Sequence, residues 1–312
     1  MRLLIIGLGF IATEVAYLLS KGHEVTVTYR ALNPVKEKYV KILEGQGVKV
    51  VKLDVLKERE KLEGLVSDSD VVVNFVGEIS GTEGSLRASN VEVPKAIAEA
   101  VRKRGKLMVH ASASTYGLTG YVKAEEKLGE GLRPSTPFER TKLEGELEVY
   151  RALGDNAIIM RPTLVYGRFN AHVQFVQIYR LVKLGIIPKL DLTFMPVSAR
   201  YLALAVDAVA KGRKPSKNYF YATECEPVNL TRFFEVFARA LGRKTVSLPV
   251  PKSLAKLALP SYVRNLLKYA GTRYDCSAFK ELVPDPKFDE EEVSENARFL
   301  QELEREGILI PT

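Results

Sequence analysis

Six residues near the start, Gly7-Leu8-Gly9-Phe10-Ile11-Ala12, have the types and spacing that let a backbone hold a pyrophosphate. In such a turn the first glycine makes the tight bend and the second lets the main chain approach the phosphates. The small third residue allows close helix–strand packing. Exposed N–H groups where the helix starts, at Phe10 and Ile11, then hold the anion. About twenty residues on, where an acid commonly accepts bonds from the ribose hydroxyls, the chain reads Tyr29-Arg30. A guanidinium pairs with a 2′-phosphate, so NADP(H) is expected ahead of NAD(H). The alternative is Arg30 as an ordinary surface charge or stacked on the adenine. Asp54 leaves two readings open: with the Val55 N–H it recognises the adenine, or it caps the turn Asp54-Val55-Leu56-Lys57.

To work, that turn must join a buried strand to a helix, and the surrounding pattern has this form. Apolar β-rich runs fall at Leu3–Ile6, Glu24–Tyr29, Val48–Leu53, Val71–Phe75, Lys106–Ala111 and Ala157–Met160. Helical spacing falls between them at Ile11–Ser20, Pro34–Glu44, Val91–Arg104 and Pro137–Leu153. The alternation predicts an α/β fold: a Rossmann-type doubly wound parallel sheet whose strands are buried on both faces. After Gly167 it breaks down into a more proline-rich stretch. A dinucleotide domain over residues 1–168 and a smaller substrate or partner lobe over 169–312 are expected, with some elements free to return to the first domain. The lobe's helices are expected at Ala171–Leu184, Ala199–Lys211, Leu230–Leu241, Lys252–Leu257 and Glu290–Glu306, and its strands near Asn218–Ala222 and Thr245–Leu248. Gly185, Gly242 and Gly307 stand where helices should be capped.

Hydrophobic residues at 46% and charged residues at 27% are the balance of a globular protein able to bury a core. The apolar stretch Leu3–Ala12 is interrupted by Glu14 and holds a glycine turn, so it reads as a buried strand and not a signal peptide. No run approaches the ~18 apolar residues of a membrane span. Net charge is +8, yet Lys and Arg are mixed with Glu, as in Lys57-Glu58-Arg59-Glu60-Lys61. A solvated, ion-paired surface is expected, with no nucleic-acid partner. Cys225 and Cys276 lie far apart in no metal-type spacing, so neither zinc nor a disulfide framework is indicated and a reducing, cytoplasmic setting is expected, the alternative being that the fold brings the two together as a bridge. Glutamine at only four positions, no Trp, and abundant Lys and Glu point to a thermophile.

Further motifs in order carry a resemblance. Asp70-Val71-Val72-Val73-Asn74-Phe75-Val76-Gly77 ends in a glycine after a strand, Asn90-Val91 follows, then His110-Ala111-Ser112-Ala113-Ser114-Thr115-Tyr116-Gly117 and Arg161-Pro162-Thr163-Leu164-Val165-Tyr166-Gly167. Together with Gly9-Phe10-Ile11-Ala12 they resemble the extended or atypical short-chain dehydrogenase/reductases, the group of nucleotide-sugar epimerases and dehydratases. The resemblance is close to residue ~170 and loose beyond. It implies that Val76, Gly77, Arg161 and Pro162 lie at the cofactor, and that Ser112 and Lys142 are catalytic, Lys142 also holding the nicotinamide ribose.

The family's Tyr-x-x-x-Lys puts a phenol and an ammonium one helical turn apart, so that the ammonium lowers the phenol's pKa. Here the segment is Phe138-Glu139-Arg140-Thr141-Lys142, and Phe cannot transfer a proton. Tyr116, Tyr166, Glu139 and His172 are conceivable substitutes. Each also has a plainer reading: the tyrosines packed beside the cofactor, Glu139 facing solvent, His172 at the lobe interface. Val197-Ser198-Ala199 lacks the Asp of the usual Val-x-Asp pattern. With Phe138 this resembles the branch containing the NADPH-binding accessory subunit of respiratory complex I. Two functions are therefore expected: an NAD(P)-dependent oxidoreductase or epimerase/dehydratase-like enzyme acting on a small molecule such as a nucleotide sugar, or a non-catalytic NADPH-binding structural or sensor protein that docks on a protein partner. A homodimer fits either.

Overall fold

The computed structural model describes residues 1–249 and 267–311. Strands β1 (Arg2–Ile6), β2 (Glu24–Tyr29), β3 (Lys49–Lys52), β4 (Val71–Asn74) and β5 (Leu107–Ala111) alternate with helices α1 (Phe10–Leu19), α2 (Pro34–Glu44), α3 (Arg59–Ser67), α4 (Glu83–Arg87) and α5 (Val93–Lys103). The two-residue strand β6 (Tyr121–Val122), α6 (Pro137–Leu153) and β7 (Ala157–Pro162) follow. These elements build one seven-stranded sheet in the order β12-β7-β5-β4-β1-β2-β3, with every pairing parallel.

Side-chain alternation along β1 explains why its whole run is apolar. Leu3 and Ile5 enter one core with Val25, Val27, Val73 and Val109. Leu4 and Ile6 enter a second core with Val72, Met108 and Ile159. Helices cover both faces, so each buried Leu or Ile adds about 1.5–3 kcal/mol. The helices carry the matching pattern: Val93, Ala96, Ile97, Ala100 and Val101 bury one stripe of α5. The start of α6 is fixed by Thr136 and Glu139, which accept each other's backbone N–H groups in a capping box, with Pro137 in the first turn.

The lobe begins with β8 (Leu164–Tyr166), α7 (Val173–Lys183), β9 (Ile186–Lys189), β10 (Thr193–Phe194), β11 (Pro196–Ser198) and α8 (Ala199–Ala210). It continues with β12 (Tyr219–Ala222), β13 (Val228–Asn229), α9 (Leu230–Ala240) and β14 (Val246–Pro249), and later β15 (Arg273–Tyr274) and helices Ser277–Leu282 and Glu290–Arg305. β12 joins the large sheet beside β7. The others make two-stranded pairs, β8 with β11, β9 with β14, β10 with β13 and β6 with β15. The expected helix Lys252–Leu257 lies outside the described residues. The sequence pattern also missed α3, whose buried residues are only Leu62 and Val66.

Of the two readings of the cysteines, the bridge is the one found. Cys225 and Cys276 are joined by a disulfide, with Cα atoms 5.6 Å apart. The turns after β12 and β15 bring them together across 51 residues, a proximity that spacing alone does not encode.

The strand order reverses direction between β1 and β4, which leaves a crevice beyond their carboxyl ends. Among the described residues no helix is long and apolar enough to cross a membrane.

Candidate active site

Gly7 takes φ +100°, and a Cβ there would press on Val76, with Cγ2 at 2.9 Å and the backbone N at 3.1 Å. Only glycine makes this bend. Gly9 differs: its backbone is extended, φ −135°, and a Cβ would meet nothing within 4 Å. Its glycine is therefore not demanded by the fold. It opens onto a cavity of about 320 Å³ at the carboxyl ends of β1, β4, β5 and β7, where Phe10, Ile11, Gly77, Ser112, Phe138, Lys142 and Pro162 also lie in the wall.

The loop after β4 is held rigidly. The Asn90 side chain accepts from the Glu78 N–H and donates to the Glu78 carbonyl, each at 2.9 Å, and also donates to Thr141 Oγ1 at 3.1 Å. This ties the loop to α6. A Cβ on Gly77 would collide with the Lys142 ammonium. Lys142 is buried, and loss of water lowers its pKa to about 8 against the opposing pull of Glu146. Behind the wall, the Asn74 amide donates to His110 Nδ1 at 3.0 Å and accepts from the Val76 N–H. Burial lowers His110 to about 3, with the Lys142 charge adding to this, so His110 stays neutral.

Ser112 Oγ lies 2.6 Å from the Tyr116 hydroxyl, which donates to Glu146 at 3.1 Å. Glu146 and Glu125 both grip Arg161, which is wholly buried beneath the rings of Tyr116, Tyr219 and Tyr221. Its nitrogens bond to the two carboxylates, among them Nη1 to Glu125 at 2.7 Å and Nε to Glu146 at 3.1 Å. Arg161 is thus paired within the protein interior and does not line the cavity. The spacing Lys142-x-x-x-Glu146 on one helix face held a signal for this acid.

Other expected residues are placed as follows. Asp54 accepts from the Leu56 N–H at 3.1 Å, closing a local turn, and Val55 is buried. The Val76 N–H is taken by Asn74. Arg30 is exposed, 3.8 Å from Glu78. Tyr116 and Tyr166 do not line the cavity; the Tyr166 hydroxyl donates to Glu224 and accepts from the Asp289 N–H. Glu139 is buried rather than solvent-facing, accepting from the Ser135 N–H and from the Tyr269 hydroxyl. His172 does line the cavity, its ring 5.0 Å from that of Phe10, and burial lowers its pKa to about 4.

Sequence reasoning missed the far wall: Phe194, Met195, Tyr269, Thr272 and Tyr274. These come from short elements without a local motif. Among the described residues no cluster of His, Cys, Asp or Glu suits a metal ion.

A structure similar to the whole chain is that of a Tyr-to-Phe mutant of UDP-glucuronic acid 4-epimerase from Bacillus cereus, in complex with UDP-4-deoxy-4-fluoro-glucuronic acid and NAD. It is 19% identical at a TM-score of 0.74, covering 97% of this chain and 100% of that one. The dTDP-glucose 4,6-dehydratase of Bacillus anthracis, in complex with NAD, gives 17% identity and a TM-score of 0.71 over 98% of both chains. The UDP-N-acetylglucosamine 4-epimerase of Methanobrevibacter ruminantium, in complex with UDP-N-acetylmuramic acid, gives 16% and 0.72 over 96% of this chain and 98% of that one. No curated protein matches the sequence. The model of the NAD dependent epimerase/dehydratase family matches residues 3–183, more than half of the length, and the chain belongs to that family.

Proposed function

We propose that the chain is an oxidoreductase or redox isomerase of this family that uses a nicotinamide dinucleotide, NADP(H) ahead of NAD(H). Residues 1–168 form its cofactor unit and 169–312 its substrate lobe. The observation that carries the reading is that Gly9, Ser112, Phe138 and Lys142 share one cavity. The open space over Gly9 is a cradle that a side chain would fill, which fits a pyrophosphate. Arg30 stands close enough to Lys36 for the two charges to interact: burial followed by Arg30 lowers Lys36, against an opposing pull from Glu78, which lies 3.8 Å from Arg30. Two neighbouring cations beyond β2 suit a 2′-phosphate.

The dinucleotide, when bound, supplies a carbon centre that accepts or donates hydride. Lys142 holds the nicotinamide ribose, mostly as a cation at neutral pH since its pKa is about 8. Ser112 hydrogen-bonds the reacting oxygen, with Tyr116 behind it. Phe138 excludes water and moves no proton. The absence of a phenol at 138 also favours a second reading, an NADPH-binding structural or sensor protein. A cytoplasmic setting belongs to the proposal, and with the Cys225–Cys276 disulfide it calls for a hyperthermophile, in which intracellular disulfides mainly occur.

Phe138→Tyr separates the readings. A positioned general acid/base contributes about 10²–10⁴-fold, so the variant should turn over NADP(H) with a carbonyl or alcohol panel at least about tenfold faster than the parent. No turnover by either protein, with NADPH bound by both, supports the sensor. Fast turnover by the parent, unchanged in the variant, contradicts the role given to position 138.

A further inference from the structure

We propose that the substrate lobe takes an uncharged molecule with a compact apolar body and a single reacting hydroxyl or carbonyl, such as a cyclic ketone or its secondary alcohol, and not a sugar carrying a nucleoside diphosphate. This rests on the dinucleotide reading above and names the substrate class for the same cavity.

The cavity that Ser112 and Lys142 line is also lined by Phe138, Phe194, Met195, Tyr269 and Tyr274. Two of these have polar tips, and the protein itself engages both. The Tyr269 hydroxyl donates to Glu139 at 2.7 Å and accepts from the Gly117 N–H at 2.9 Å. The Tyr274 phenol has the Ser114 hydroxyl as its hydrogen-bonding neighbour, and its ring packs on Tyr221 with centroids 4.8 Å apart. The Tyr274 N–H also donates to the Met195 sulfur at 3.0 Å, which fixes the thioether on the wall. These side chains therefore offer a ligand ring faces and a thioether, the surfaces that favour apolar bodies.

Three side chains lining the cavity keep a buried polar atom without a partner, Thr115 Oγ1, Gln174 Oε1 and Thr272 Oγ1, of which Thr272 comes from the same segment as Tyr269 and Tyr274. Thr272 is 2% exposed, and its hydroxyl has no partner. A buried unpaired hydroxyl costs about 1–3 kcal/mol, which one hydroxyl or carbonyl of a ligand relieves. Charge points the same way. Among the described residues lining the cavity Lys142 is the one fixed cation, and it stands beside Gly77 at the cofactor side. A diphosphate brings about two negative charges, and burying them is costly without cationic partners. His172 supplies none, since burial keeps it neutral.

The test is thermal melting and calorimetric titration of the full chain with saturating NADPH, using 2-tetralone, 2-tetralol, UDP-glucose and UDP as probes. We expect 2-tetralone or 2-tetralol to raise the melting temperature, while UDP-glucose and UDP leave it unchanged at millimolar concentration. Thr272→Val and Phe194→Asn should each weaken the apolar probe about fivefold without altering NADPH affinity, which also reports that the variants fold. Binding of UDP-glucose or UDP overturns the substrate class and leaves the dinucleotide reading standing. Binding of none of the four overturns it equally. Failure of NADPH itself to bind strikes instead at the reading beneath.

Discussion

Lys142 sits in the cavity wall with its ammonium stripped of most of its water. Its pKa of about 8 in the folded chain lies below the ~10.4 of an exposed lysine. Between those values the unfolded chain binds more protons than the folded one, so stability rises with pH across that window and is lowest below it. Lys142→Met should therefore stabilise the protein at pH 7 by on the order of 1–3 kcal/mol, a gain that fades toward pH 10, while dinucleotide affinity falls. Urea melts at both pH values check this; a variant less stable than the parent at pH 7 contradicts it. A lysine kept there at the expense of stability is the mark of a functional group. Single residues were legible where local chemistry dictates them. The glycine turn was readable because backbone geometry requires Gly7, and Phe138 because it interrupts a four-residue spacing. Thr272 and Tyr274 were not, since nothing near them in sequence marks a cavity also lined by Phe138, 134 positions before Thr272.

At the scale of elements, the strands of the large sheet were legible because burial on both faces leaves unbroken apolar runs, as in β1 and β4. The lobe's two-residue strands were not, because a pair such as β10 and β13 is created by tertiary packing rather than by periodicity. The same holds for Arg161, whose motif is local but whose partners are not. It joins β7 to α6 through Glu146 and to the loop after β6 through Glu125. Burial alone would push the Glu125 carboxyl up, yet hydrogen bonds and charge from Arg161 hold it below the usual range. Arg161→Met strands two carboxylates and should cost about 3–5 kcal/mol. The variant should recover stability as the pH falls and those carboxylates protonate. Denaturant midpoints at pH 7 and pH 5 measure both effects; a midpoint unchanged at pH 7 would mean that the triad is not what ties these elements together.

Across the whole molecule, the Cys225–Cys276 disulfide closes a loop of about fifty residues, and loop-closure entropy assigns such a link about 4 kcal/mol. Cys225→Ser should lower the melting temperature, as should a reductant on the parent, and Cys276→Ser added to Cys225→Ser should lower it no further. A melting temperature indifferent to all three contradicts the bond. The same link holds β15, and with it Thr272 and Tyr274, against the large sheet, so the far wall of the cavity depends on it. Calorimetric titration of NADPH and NADH decides whether this cavity is, as proposed, a dinucleotide site entered over Gly9. The extended backbone and open space at Gly9 predict that Gly9→Val folds like the parent yet binds neither cofactor. Arg30→Ala should bring NADPH down to the affinity of NADH, a loss of about ten- to a hundredfold. NADPH affinity in a folded Gly9→Val variant equal to that of the parent would contradict the claim.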